Sequence, residues 1–211
     1  MSIPIYAGAF AISLAIFLIG IYIGSLIDQS NLKGISDDVA SISMRVASVQ
    51  VLLLSDGNES FCPLYTSELD ALDKDVEDVG YKLSFMEDNR GAYDDELKRR
   101  YFVLEAESYL LSKKVKTLCG DDSALLIHFY SNKNCERCKD QGTEVLKARE
   151  ALESQGIKVK LFSFDGGLDS PVAEAFEAQY GVSGYPTIVI DEKTYPGFRD
   201  SREIQALVKG S

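Results

Sequence analysis

Positive charge and soft metal ligands are both scarce in this chain of 211 residues. Lysine and arginine total 22 against 33 aspartates and glutamates, a formal net charge of −11 at pH 7. That deficit argues against nucleic acid as a partner, because a phosphate-binding face needs a basic surplus. The acids are spread along the sequence rather than gathered in a tail, so they read as a solvated surface. One histidine and four cysteines are all the soft-ligand chemistry available, and no metal or other cofactor is expected. The length admits one or two modest domains and excludes a large multidomain enzyme.

Charge of either sign is missing altogether from Met1 to Ile27. The run IPIYAGAFAISLAIFLIGIYIGSLI is as long as the ~20 to 25 apolar residues that cross a bilayer as a helix, and residues 1–27 read as a transmembrane anchor. A cleaved signal peptide would show a basic start and a shorter apolar stretch, and this run has neither. Gly20 and Gly24 form a GxxxG pair, through which two such helices could approach as a homodimer, although glycine is common in membrane helices generally.

Beyond the anchor, Leu32, Ile35, Val39, Ile42, Val46, Val49 and Leu53 alternate at three and four, the spacing of one helical stripe. Ser55 to Ser60 is turn-rich, and Asn58-Glu59-Ser60 within it matches the N-glycosylation acceptor pattern, a triplet that often arises by chance. A second stripe runs through Leu69, Leu72, Val76, Val79, Leu83 and Met86, with Thr66 or Ser67 as its cap, until Asn89-Arg90-Gly91 stops it. A third runs through Leu97, Tyr101, Leu104, Leu111, Val115 and Leu118 to Cys119-Gly120. Residues 28–120 therefore read as a helical hairpin or coiled-coil stalk. Helices joined by a short loop run antiparallel, which brings Cys62 and Cys119 together at the open end of the hairpin. A disulfide there would be structural, worth about 2 to 4 kcal/mol. It would also require an oxidising compartment, so the expected topology is a single-pass protein with a cytoplasmic amino terminus and an extracytoplasmic carboxy-terminal domain. The flanking charges are too few to decide orientation.

From Ala124 the pattern changes. ALLIHFYS suits a buried strand, IKVKLFSFD a second, TIVID a third and KTYPGF a hairpin partner, with helices after the first and second strands and from Ser201 to Lys209. This order fits a small α/β domain over residues 121–211. Directly after its first strand stands Cys135-Glu136-Arg137-Cys138. Two cysteines at this spacing can share a metal, close a reversible disulfide or pack in a core. At a helix start, free amide donors and the helix dipole stabilise a thiolate on the first sulfur, making Cys135 the attacking group and Cys138 the resolving one.

The CxxC after a buried strand, KLFSFD in the second strand and YGVSGYPT before the third together resemble the thioredoxin superfamily, over residues 121–211 only. The resemblance implies a cis peptide bond between Tyr185 and Pro186, packed against the CxxC, whose backbone binds an extended substrate segment. It further implies that His128 and Lys160, at positions where relatives keep an acid and a base, are candidates for proton transfer. The chain departs from the usual pattern in having Asn134 in place of an aromatic residue, no tryptophan, and Glu136-Arg137 in place of Gly-Pro. The acid and the base of that dipeptide act on the thiolate in opposite senses. The function expected is that of a thiol–disulfide oxidoreductase acting on protein substrates, with a redox partner that resets the CxxC. The alternatives are a redox-inactive thioredoxin-fold binding or assembly module, and a zinc site, for which Cys135, Cys138 and His128 leave one ligand short.

Overall fold

The computed structural model describes residues 3–56 and 59–210; Asn58, the acceptor of the glycosylation pattern, lies outside them. The first helix, α1 (Ile3–Asp56), is 54 residues long and continuous. The expected membrane span and first stalk helix are thus one rod, because Asp28-Gln29-Ser30-Asn31 between them contains neither proline nor glycine to break it. The two halves differ in what they face. Tyr6 to Ile27 is exposed apart from the half-buried Gly24, whereas Ile35, Val39, Ile42, Val46, Val49 and Leu53 are buried as a single stripe. Among the described residues one helix is long and apolar enough to cross a membrane.

A turn of 3-10 helix (Glu59–Phe61) leads into α2 (Cys62–Phe85). This helix starts ahead of the expected Thr66 or Ser67 and has no side-chain cap; Pro63 occupies its first turn, where a missing amide hydrogen costs nothing and the fixed φ already suits a helix. A π-helical turn (Met86–Arg90) closes on Gly91, which is left-handed with φ 61°. The third helix, α3 (Asp95–Cys119), is capped by Asp94, whose carboxylate accepts from the Leu97 amide at 2.9 Å, and ends on left-handed Gly120.

The rest is a mixed sheet between two helical layers. Strands β1 (Ala124–Tyr130), β2 (Val159–Asp165), β3 (Thr187–Ile190) and β4 (Lys193–Pro196) lie in the order β2-β1-β3-β4. The β1–β2 pair is parallel, β1–β3 and β3–β4 antiparallel. Helices α4 (Cys138–Glu153) and α6 (Ser201–Lys209) cover one face through Val145, Leu152, Ile204 and Val208, packed on Leu126, Ile188 and Ile190. Helix α5 (Pro171–Tyr180) and α3 cover the other.

That second face joins the helical segment to the sheet. Helix α3 is buried on two sides: Leu97, Leu104, Leu111 and Val115 pack with α1 and α2, while Phe102 and Tyr109 pack on the sheet. The Phe102 ring meets Phe164 edge-on at 5.6 Å, and Tyr109 meets Phe162 at 5.3 Å and Phe176 at 5.5 Å. One hydrophobic cluster runs from Ile35 through the hairpin to Val189 in β3. At the open end of the hairpin Cys62 and Cys119 form a disulfide with Cα atoms 5.5 Å apart.

Candidate functional site

Strand β1 delivers the chain to its carboxy-terminal edge at Tyr130, and residues 131–137 turn it into α4. Asn134 adopts φ 57° in that turn, a left-handed conformation that asparagine tolerates better than the aromatic residue expected from the resemblance. Cys135 and Cys138 form a disulfide with Cα atoms 5.5 Å apart. Their exposure is unequal: Cys135 is half-buried just ahead of the helix, while Cys138, its first residue, is 5% exposed. The Ser131 amide donates to the Cys138 sulfur at 3.3 Å. Within the motif, the Arg137 guanidinium lies over the Phe198 ring at 3.6 Å, and Glu136 is exposed.

The Tyr185–Pro186 peptide is cis. Phe129 pairs with Thr187, so Pro186 continues β3 toward the end of the sheet where β1 passes into the CERC loop. Residues 197–199 border both features: the Gly197 amide donates to the Pro186 carbonyl at 2.9 Å, and the Gln141 side chain of α4 brackets the Arg199 backbone at 2.7 and 3.0 Å. The Tyr185 hydroxyl donates to Glu177 at 2.6 Å, and burial together with that carboxylate raises its pKa. A Cβ on Gly166 would meet the oxygens of both partners, so a side chain there would have to displace this pair.

His128 is buried in β1 between Ser163 and Ile188, with its ring stacked on Tyr130 at 5.5 Å. Burial lowers its pKa to about 4, so the imidazole is neutral near pH 7, and its Nε2 has no hydrogen-bond partner among the described residues. A Cβ on Gly142 would lie 3.8 Å from its Cε1, which places the second turn of α4 over the ring. No hydrogen bond joins it to either sulfur among the described residues.

Lys160 does not belong to this site. It pairs with Leu125 at the opposite end of the strands, and its ammonium is held by Asp73 at 2.5 Å and Asp70 at 3.4 Å on α2. The family position that suggested proton transfer is here the sheet's anchor to the hairpin.

Sequence reasoning missed a second buried cation, Lys98 at the start of α3. Its ammonium is 2.9 Å from Glu87 in the π turn and 3.0 Å from Asp165 at the end of β2. Burial works against its charge, but Tyr130, Glu87 and Asp165 outweigh that and raise its pKa. The other Asp165 oxygen accepts from the amides of Asn132 at 3.2 Å and Gly167 at 2.9 Å, and the Asn132 side chain donates to Glu87 at 3.2 Å. The hairpin turn thereby holds the loop that carries the cysteines. Among the described residues no three His, Cys, Asp or Glu side chains gather around a metal-sized site.

No family model matches the chain. It is similar to the probable protein disulfide-isomerase A4 of Caenorhabditis elegans, 35% identical over 81 residues, which are 38% of this chain and 12% of that one. The chain thus spans about an eighth of that relative's length. Two solved structures are similar as well. The crystal structure of chloroplastic thioredoxin z is 22% identical, covering 43% of this chain and 80% of the other at a TM-score of 0.35. The solution structure of the first thioredoxin domain of mouse protein disulfide-isomerase A4 is 24% identical, covering 46% and 69% at 0.34. With a CxxC at the start of α4, a cis proline before β3 and the β2-β1-β3-β4 sheet, the carboxy-terminal part of the chain has a thioredoxin-like fold.

Proposed function

We propose that this protein is a membrane-tethered thiol–disulfide oxidoreductase that exchanges disulfides with protein substrates through Cys135 and Cys138. The observation that carries this reading is the inequality of the two sulfurs: Cys135 is reachable and Cys138 is buried one turn inward, at the start of a helix and on the cis-proline side of the sheet. A thiolate at Cys135 is favoured by the free amides and dipole of α4. It attacks a substrate disulfide, forms a mixed disulfide and expels the second substrate sulfur as a thiolate. Cys138 then attacks the Cys135 sulfur, releasing reduced substrate and closing the pair; the same steps run backwards to oxidise a dithiol. The backbone at Tyr185 and Pro186 is the seat for the substrate segment. His128, neutral beneath α4 and with its Nε2 unpaired among the described residues, is the side chain we assign to proton exchange with Cys138.

The apolar half of α1 supplies the tether, with its free surface in lipid and Gly20 and Gly24 open to a second copy. The Cys62–Cys119 disulfide favours an oxidising compartment for everything after Ile27, with the amino terminus cytoplasmic. A separate membrane or soluble redox protein would reset the pair. Cys138→Ser should leave the attack intact and block resolution, so covalent complexes accumulate on non-reducing gels, whereas Cys135→Ser should trap nothing. Equal trapping by both variants would refute the assignment of Cys135.

A further inference from the structure

The direction of each element relative to α1 fixes where the redox pair sits. Helix α2 runs antiparallel to α1 in a regular register: Asp38 pairs with Lys82 at 3.0 Å, and seven residues further along α1, Arg45 pairs with Asp75, seven residues back along α2. The Leu52 carbonyl accepts from Tyr65 still further out. Continued toward the apolar half, this register sets the end of α2 against the first polar turns of α1, where Asn31, Gly34 and Ile35 share one shallow cleft with Tyr81, Phe85 and Met86. Asp88 then lies about level with residue 32, roughly 8 Å beyond Ile27 at 1.5 Å per residue.

From that turn α3 runs outward, away from the apolar segment, and β1 and β2 run back. Their carboxy-terminal ends return to the start of α3, with Lys98 3.0 Å from Asp165 and 5.7 Å from the centre of the Tyr130 ring. The CERC loop is thus on the same side as the π turn, tied to it by Asn132 to Glu87 at 3.2 Å and Lys139 to Asp88 at 3.2 Å. The Cys62–Cys119 disulfide marks the opposite end, three residues beyond the Tyr65 contact with Leu52 and about 40 Å along α1 from Ile27.

The geometry points to a redox site held against the membrane surface, within about 15 Å of the hydrocarbon edge, whose substrates are cysteines in integral membrane proteins lying within a turn or two of the bilayer. The inference rests on the oxidoreductase and tether readings above and holds for either orientation of the span. Exchange follows the steps already written: one substrate S–S bond breaks, one mixed disulfide forms and resolves, and two electrons pass between the cysteine pairs.

A helical spacer tests it. Fourteen Glu-Ala-Ala-Ala-Lys-type residues inserted between Asp28 and Gln29 of the full chain would raise the whole head by about 21 Å while turning it little, because fourteen residues are close to four helical turns. The parent and spacer proteins, with the CERC pair reduced, are placed in vesicles with two single-span peptides. One carries a cystine loop one turn from the bilayer, and the other carries the same loop on a helical arm about 30 Å out. The parent should exchange with the near loop at least about tenfold faster than with the far one, and the spacer protein should lose that preference. Both should react at the same rate with a soluble cystine peptide. Equal parental rates on near and far loops, or a preference that the spacer leaves unchanged, would overturn the inference alone. No reaction with the soluble peptide would overturn the oxidoreductase reading, and failure to float with the vesicles would overturn the tether, each taking the inference with it.

Discussion

Glu105 is a carboxylic acid buried where no cation among the described residues answers it. It faces inward from α3, 3% exposed, and receives hydrogen bonds from the Tyr101 hydroxyl and the Ser163 backbone, while its Oε2 has no partner among the described residues. Gly80 makes the arrangement possible, since a Cβ there would collide with the Tyr101 hydroxyl. Burial raises the Glu105 pKa from 4.5 to about 8, and the nearby Asp73 and Glu77 push the same way. The folded protein therefore keeps a proton that the unfolded chain releases above 4.5. Stability from this group is complete below that value and is lost as pH rises toward 8, by up to about 1.4 kcal/mol per pH unit. Over the intervening 3.5 pH units the loss approaches ~5 kcal/mol, an upper bound that is large beside the ~5 to 15 kcal/mol of a whole domain.

Glu105→Gln keeps the shape and the acceptor for Tyr101 and Ser163 but never ionises. At about pH 5 variant and parent should unfold at the same urea concentration to within ~1 kcal/mol, and by about pH 9 the variant should be the more stable by ~3 to 5 kcal/mol. Urea titrations of the full chain in detergent micelles, followed by far-UV circular dichroism and tyrosine fluorescence, measure this; the 11 tyrosines report undisturbed because the chain has no tryptophan. A difference between the two proteins that stays constant across the pH range would refute the buried neutral acid.

Two further outcomes test the architecture. Phe102→Ala removes a fully buried ring from the junction between α3 and β2 and should cost about 3 to 5 kcal/mol, with hydrogen exchange accelerating in β1 and β2 as well as in α1 and α2; acceleration confined to the helices would show two independent cores. Replacing both Cys62 and Cys119 by serine opens a loop closed across a separation of 57 residues, for which chain entropy gives about 4 kcal/mol, seen as a lower urea midpoint with an altered m-value. A change under ~1 kcal/mol would mean the hairpin ends are held by packing alone.

The order of elements in the carboxy-terminal domain was legible because each strand is a short apolar run and each helix a periodic one, and the glycines after α3 and the π turn marked true stops. What failed to show was anything decided by a second neighbour. Helix α3 was read through a single stripe, yet Phe102, Ala106 and Tyr109 repeat at four and three on another face, and that off-stripe series was the available signal for a helix packed on both sides. Lys98 has no such signal: a lysine in a first helical turn reads as solvated until Glu87 and Asp165, 11 and 67 residues away, are brought to it. Lys160 failed for the converse reason. Its place in a strand pattern could be guessed, but which end of the strand faces the cysteines depends on the register with β1.

That shared burial of α3 bears on how a tether can serve catalysis. A thioredoxin-fold domain on a flexible linker would sample a hemisphere above the membrane, and its effective concentration at any one height would fall as the linker lengthened. Here nothing flexible is described between the apolar segment and the first contact with the hairpin: α1 continues unbroken, Ile35 is already buried against the hairpin core, and α3 belongs to that core and to the sheet at once. The ion pairs of Lys98 and Lys139 then fix the loop itself. Such a body gives up reach. It can gain local concentration only for partners that present their sulfurs at one height, so a rigid attachment is worthwhile to the extent that its substrates are themselves confined to the same surface.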